Sequence, residues 1–231
     1  MTTLVSSIED VTRSKSCRVN WSRWGSHRFG GEPRLDYSGL KLPAPVHHLL
    51  SLDTSDSRSP VRFEGIRFVP LIYPLAYSAG GGQISYQVVG EGKIKITHLS
   101  EYRADDPPYF ILDVLPERRA SLVALSYAER RILGSDIRDR SLLDRWRMRR
   151  LWNGECFRVA GIMKYHSSLG ASPCPAPTNQ DRRNCSGWGF ADFPASKQPF
   201  GDIWHEYSSD VWFCFAVCFD CGTIHAFNEC T

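Results

Sequence analysis

Residues 210–231 read DVWFCFAVCFDCGTIHAFNECT. The nearly continuous apolar run from Val211 to Phe219 contains neither Gly nor Pro, which is the composition of a central strand buried on both faces. Thr223 to Phe227 then reads as its return partner, with Cys218-Phe-Asp-Cys221-Gly222 as the turn between them. The hairpin makes the fold β-rich. It also concentrates four cysteines and a histidine in one short stretch, where they act as metal ligands, core residues or disulfide partners.

A CxxC pair followed by Gly lets two thiolates converge on one ion from a tight turn, because Gly relaxes the backbone there and the turn amides face the sulfurs. A closed structural zinc site needs a second pair. Cys174 and Cys185 offer one, in the Pro-, Asn- and Gly-rich stretch ASPCPAPTNQDRRNCSGWG, residues 171–189. A loop of that length inside a compact domain carries function or is tied down. Their separation of eleven positions is looser than usual zinc-ligand spacing. The candidate metal set is therefore Cys174, Cys185, Cys218 and Cys221, with structural zinc as the cofactor. His225, Cys214 and Cys230 are alternative ligands. The competing reading is packing: Cys214 and Cys218 share parity in a buried strand, and free cysteine behaves as a small hydrophobe. A redox CxxC fits poorly, since that motif opens a helix and this one ends a strand.

Outward from the hairpin, GGGQISYQVVGEGKIKITHL also reads as β. Ile84, Tyr86 and Val88 alternate, Gly90-Glu91-Gly92 turns, and Ile94 and Ile96 alternate back. Gly65, Pro70 and Pro74 break residues 61–77 into short runs that exclude a continuous helix. VHHLLSL, residues 46–52, reads as a strand, and residues 54–60 as a polar loop. Residues 1–20 read as a flexible arm or short strand, ahead of a single globular domain over 21–231.

The period changes after Pro116. Leu122, Leu125, Ala128 and Ile132 recur at three and four, and Ile137, Leu142, Leu143 and Trp146 resume after Gly134-Ser135. This spacing predicts two amphipathic helices within about 117–152 and makes the fold class α+β, β-rich sheets with a two-helix insert. Residues 130–150 hold eight Arg against three Asp. That is a solvated face with i to i+4 pairs, or a basic face for an acidic partner.

With 231 residues, a core can form without cross-links, so a stabilising metal is optional. A net charge of +3 lacks the electrostatic footprint of a dedicated nucleic-acid binder. No basic start leads into an apolar h-region and no window approaches a membrane span, so the expectation is a cytoplasmic protein in a reducing compartment. That compartment moves the eight cysteines away from a disulfide framework.

Catalytic motifs are missing. Gly80-Gly81-Gly82 precedes a strand, whereas phosphate loops precede a helix. His205-Glu206 lacks the second histidine of a zincin, and His47-His48 on one strand point to opposite faces. Cys156 and His166 are the residues to test for an unrecognised hydrolase. No enzyme is expected.

RFGGEP, residues 28–33, together with the late Cys-containing Pro-rich loop, GDIWHEYSSDVWFCFAVC and the closing CFDCG, resembles the YwqG-like bacterial family and, more distantly, the programmed-cell-death-two-like proteins. The resemblance lies in a Gly-Gly-x-Pro turn at Gly30, Gly31 and Pro33, and in a late strand entering the turn of Cys218 and Cys221. The long helical segment, and the lack of a cysteine pair near PAPVHHLLSLD, depart from that pattern. The resemblance implies a β-rich α+β protein of two related halves with a partner-binding role, of a type that includes toxin-neutralising proteins.

The functional expectation is a non-enzymatic binding protein, an immunity protein that neutralises a bacterial toxin by direct protein–protein contact. Seven Trp and nine Tyr supply the residue types that dominate interface hot spots. A nuclease target calls for a strongly acidic inhibitor, and +3 opposes that subtype. The alternative is a zinc-stabilised module that binds nucleic acid or a ribosomal partner through the Arg-rich helices.

Overall fold

A computed structural model of the chain describes residues 2–7, 16–42, 44–76, 82–100, 114–127, 158–159, 174, 185, 187–194 and 211–230. In chain order the strands are β1 (Cys17–Trp21), β2 (His27–Phe29), β3 (Asp36–Gly39), β4 (His47–Asp53), β5 (Phe68–Tyr73), β6 (Gln83–Gly90), β7 (Lys93–Leu99), β8 (Arg118–Ala124), β9 (Arg158–Val159), β10 (Gly187–Pro194), β11 (Val211–Cys218) and β12 (Thr223–Cys230).

Two sequence-local hairpins nucleate the order. Alternation over 84–96 builds β6 and β7 around Gly92, whose φ of 67° supplies the reversal. The apolar run 211–218 builds β11, and β12 returns antiparallel to it, with Phe213 opposite Asn228 and Val217 opposite Ile224. These hairpins meet edge to edge, since β12 pairs with β6 and places His225 opposite Ser85. The full order is β3-β7-β6-β12-β11-β10-β9-β1-β8-β2-β4-β5, antiparallel except for β3 on β7. The C-terminal hairpin therefore sits inside the ladder, as its apolar run requires, and the ladder does not split into an N-terminal and a C-terminal half.

The ladder folds over so that β5 faces β11 and β6. The Tyr73 and Phe213 rings lie 5.3 Å apart. The Tyr86 hydroxyl donates to the Pro70 carbonyl at 2.7 Å and accepts from the Ile72 amide at 3.4 Å. Between these layers lies the apolar core, with Leu50, Leu71, Ile84, Phe190, Phe215, Val217 and Ile224 all buried. On β6 and β12 the opposite face is buried as well, yet polar: Gln83, Ser85, Gln87, Thr223 and His225.

The expected α+β class with a two-helix insert is not what the described residues form. Residues 118–124, at the start of the expected helical segment 117–152, make strand β8, which pairs with both β1 and β2. Ala120 and Leu122 are buried and their neighbours more exposed, a period of two. The three-and-four recurrence beginning at Leu122 is outweighed by two flanking strands that satisfy the β8 backbone. Residues 128–157 lie outside the described residues. Within the segment read as an arm, Cys17 to Asn20 belong to β1, and Leu4 bridges to Phe63. Gly30 and Gly31 hold φ of 62° and 79°, a backbone that only glycine adopts without strain. No described helix is long and apolar enough to cross a membrane.

Candidate metal centre

Strand β11 ends at Cys218 because the chain must reverse there, and Gly222 makes the reversal tight. Its φ is 67°, and its amide donates to the Cys218 carbonyl at 2.8 Å. A Cβ at this position would lie 3.3 Å from the Phe63 ring. This knuckle aims the Cys218 and Cys221 sulfurs to one side, where Cys174 and Cys185 meet them. All four Sγ atoms lie within 4.8 Å of one another. Cys174 is 4.0 Å from Cys218, and Cys185 is 3.6 Å from Cys221. A tetrahedral zinc with Zn–S of about 2.3 Å places its sulfurs about 3.8 Å apart, so these two spacings bracket the value a bound ion requires.

The surroundings of the cage are polar where ionised sulfur needs partners. Cys221 Sγ lies 3.0 Å from the Thr223 hydroxyl, which can donate to a thiolate. The Gln87 side-chain amide donates to the Cys221 carbonyl at 3.1 Å, which braces the knuckle against β6. Cys218 is fully buried at the end of its strand.

Four thiols this close share protons. Contacts from Cys185 and then Cys221 hold the Cys218 thiol far below its usual range, with burial opposing. The Cys185 thiol is pushed far above that range by the Cys218 and Cys221 contacts and by burial. Cys221 is pushed up to about 12, its Cys185 contact lowering it while the Cys218 contact and burial raise it. A divalent cation held by Cys174, Cys185, Cys218 and Cys221 would displace their thiol protons and be bound as a thiolate complex. An all-sulfur tetrahedral set is suited to zinc or iron.

Among the described residues, the other cysteines and histidines stand apart. Cys214 is buried in β11 and is not one of the four; Cys17 is buried in β1, where burial pushes its thiol up. Cys156, His166, His205 and Glu206 lie outside the described residues, and of Cys230 only the backbone is described. His225 is no ligand of this set. Its Nδ1 lies 2.9 Å from Ser85 Oγ, while its Nε2 is buried with no hydrogen-bond partner among the described residues. Burial holds it down to about 4, against the Cys218 charge. In β4, His47 Nδ1 accepts from the Leu75 amide at 3.2 Å, and His48 bridges the Gly30 carbonyl and Ser51 Oγ, each at 2.7 Å. Neither approaches a metal set.

Sequence reasoning missed a second polar cluster, in the loop read only as polar. Buried His27 lies with Nε2 3.1 Å from Asp56 Oδ2, and its Nδ1 accepts from the Asp53 amide at 3.0 Å. Arg58 grips the same carboxylate with Nε at 2.8 Å and Nη2 at 2.7 Å, and its Nη1 donates to the Leu122 carbonyl. Asp56 is held down at about 2: burial raises it, but the Arg58 and His27 hydrogen bonds outweigh that cost. Every group has a partner, so the cluster is a lock on the loop. The available signal was Asp-Thr-Ser-Asp-Ser, whose side chains fold back on their own backbone.

Compared with known proteins, the chain matches no family model, no curated protein and no solved structure.

Proposed function

We propose that this chain is a non-enzymatic binding protein whose fold carries one structural zinc ion on Cys174, Cys185, Cys218 and Cys221. The observation that carries the reading is the convergence of four sulfurs within 4.8 Å from positions far apart in sequence. Four-cysteine sites fill every tetrahedral position with protein, unlike three-ligand catalytic sites that keep one for water. The ion's work is to fasten Cys174 and Cys185 to the β11–β12 knuckle. A reducing cytoplasm, where thiols stay available to a metal, is the compartment that fits.

Binding is supported by large aromatic side chains held in water. Trp24 is 82% exposed beneath the Arg23 guanidinium, 4.8 Å from its ring centroid, and Tyr127 is 70% exposed. Such residues are the usual anchors of protein interfaces. The partner is a protein, and the form we favour is a cognate bacterial toxin occluded by direct contact, as the Gly30-Gly31-Glu32-Pro33 and Cys218/Cys221 resemblance implies.

Elemental analysis tests the metal: about one zinc per chain, absent from Cys218→Ser, is the expected result. Growth rescue tests the partner. Co-expression of the intact protein with a candidate toxin that it binds in a pull-down should restore growth, Trp24→Ala should weaken the rescue, and failure of the intact protein to rescue would sink the immunity role.

One observation favours the nucleic-acid reading: Arg28 lies directly opposite Arg119 across β2 and β8. Such a like-charge pair is relieved by a polyanion. Retention on a polyanion column that falls steeply with salt would favour it.

A further inference from the structure

We propose that Cys185–Cys221 and Cys174–Cys218 are oxidative modification sites, two disulfide pairs that form under peroxide and keep the same segments joined after the metal leaves. The inference rests on the zinc reading only for the fate of the ion; the pairing rests on the sulfurs themselves.

Cys185 touches both knuckle sulfurs, but the 3.6 Å contact of Cys185 with Cys221 and the 4.0 Å contact of Cys174 with Cys218 cross from the partner positions to the knuckle without sharing a sulfur. Together they use all four sulfurs once. A disulfide needs its sulfurs about 2.0 Å apart, so each pair closes by a side-chain rotation of under about 2 Å.

In chemical terms, a thiolate attacks one oxygen of hydrogen peroxide, giving a sulfenic acid and hydroxide. The neighbouring thiolate displaces the second hydroxide and forms the sulfur–sulfur bond. Each pair gives up two electrons and peroxide takes them, so four thiolates and two peroxides yield two disulfides, four hydroxides and one released zinc ion. A cage whose ligands paired within each element would come apart on oxidation; cross-paired, it exchanges an ionic fastening for a covalent one.

The test titrates the purified, reduced, full-length protein with hydrogen peroxide. Released zinc is read with a chromogenic chelator, and linkages by non-reducing peptide mapping. The expected result is one zinc released per four thiols lost, the pairs Cys185–Cys221 and Cys174–Cys218, and intact thiols at buried Cys17 and Cys214. A principal product of Cys218–Cys221, Cys174–Cys185 or Cys185–Cys218, or sulfinic acid at the cluster, overturns the proposal, as do thiols that survive excess peroxide. Protein that holds no zinc before oxidation but forms the two cross pairs upholds the pairing and refutes the zinc reading. As a second measurement, Cys185→Ser should abolish the Cys221 linkage and leave Cys174–Cys218, whether or not it still binds metal.

Discussion

The knuckle at Cys218–Gly222 and the loop at Asp53–Ser59 solve one problem in opposite ways. Both are tight polar reversals at the margin of a buried sheet, and both carry groups that are costly to bury alone. The Asp53–Ser59 loop is complete within itself: His27, Asp56 and Arg58 satisfy one another, and Ser55 and Ser59 close the remaining bonds to Asp53. The knuckle gathers four donors of one kind, which can share protons but cannot neutralise one another. A loop of mixed charges is self-sufficient, whereas a loop of like ligands is one that a cation from solution could complete. Stability at the first should follow proton activity, and at the second, metal activity.

The largest expected effect breaks that contrast at the metal end. With free zinc a thousandfold above its Kd, linkage contributes about 4 kcal/mol to the folded state. Chelation should remove this and lower the melting temperature, while Cys218→Ser should be insensitive to chelator. Chelator sensitivity equal in both proteins would refute the assignment.

Acid sharpens the contrast. Burial holds His48 down to about 4, whereas its ordinary value is 6.5. Unfolding therefore takes up a proton between those values: the stabilisation is complete above pH 6.5 and is lost as pH falls toward 4, by about 3 kcal/mol at that limit. His27, also lowered by burial, acts in the same direction. Denaturant melts of Cys218→Ser from pH 7 to 4 isolate this from metal loss, and a flat profile would contradict it.

Next in size is Asp56→Asn, which removes the charge that Arg58 grips and weakens the acceptor for His27. A loss of about 2 kcal/mol is expected, with zinc content unchanged. Smallest is Gly222→Ala, in which the positive φ and the Phe63 contact together cost about 1–2 kcal/mol. The same variant should bind zinc more weakly, which competition with a colorimetric chelator can read.

What the chain discloses in sequence depends on how far each contact reaches. The β6–β7 and β11–β12 hairpins were legible because alternation, a Gly turn and an apolar run are local signals. CxxC-Gly was legible for the same reason. Strand β8 was not: the apolar spacing from Leu122 onward also fits a helix, and only β1 and β2, far upstream in the chain, decide between them. Cys174 and Cys185 could be named as a pair on a loop that needed tying, yet their meeting with the knuckle depends on tertiary placement, which spacing does not encode. The pairing of Ser85 with His225 and the Asp56 lock were invisible because a polar loop and a lone histidine look alike whether exposed or buried.

One phenol oxygen has a consequence beyond the core it helps to close. Strand β5 ends the sheet, and the Tyr86 hydroxyl occupies both a carbonyl and an amide on its outer edge, at Pro70 and Ile72. Those are the groups a second chain would use to add a strand. Tyr86 is thus a stopper against polymerisation supplied by the protein's own interior, and whatever loosens β6 from β5 also uncovers a templating edge.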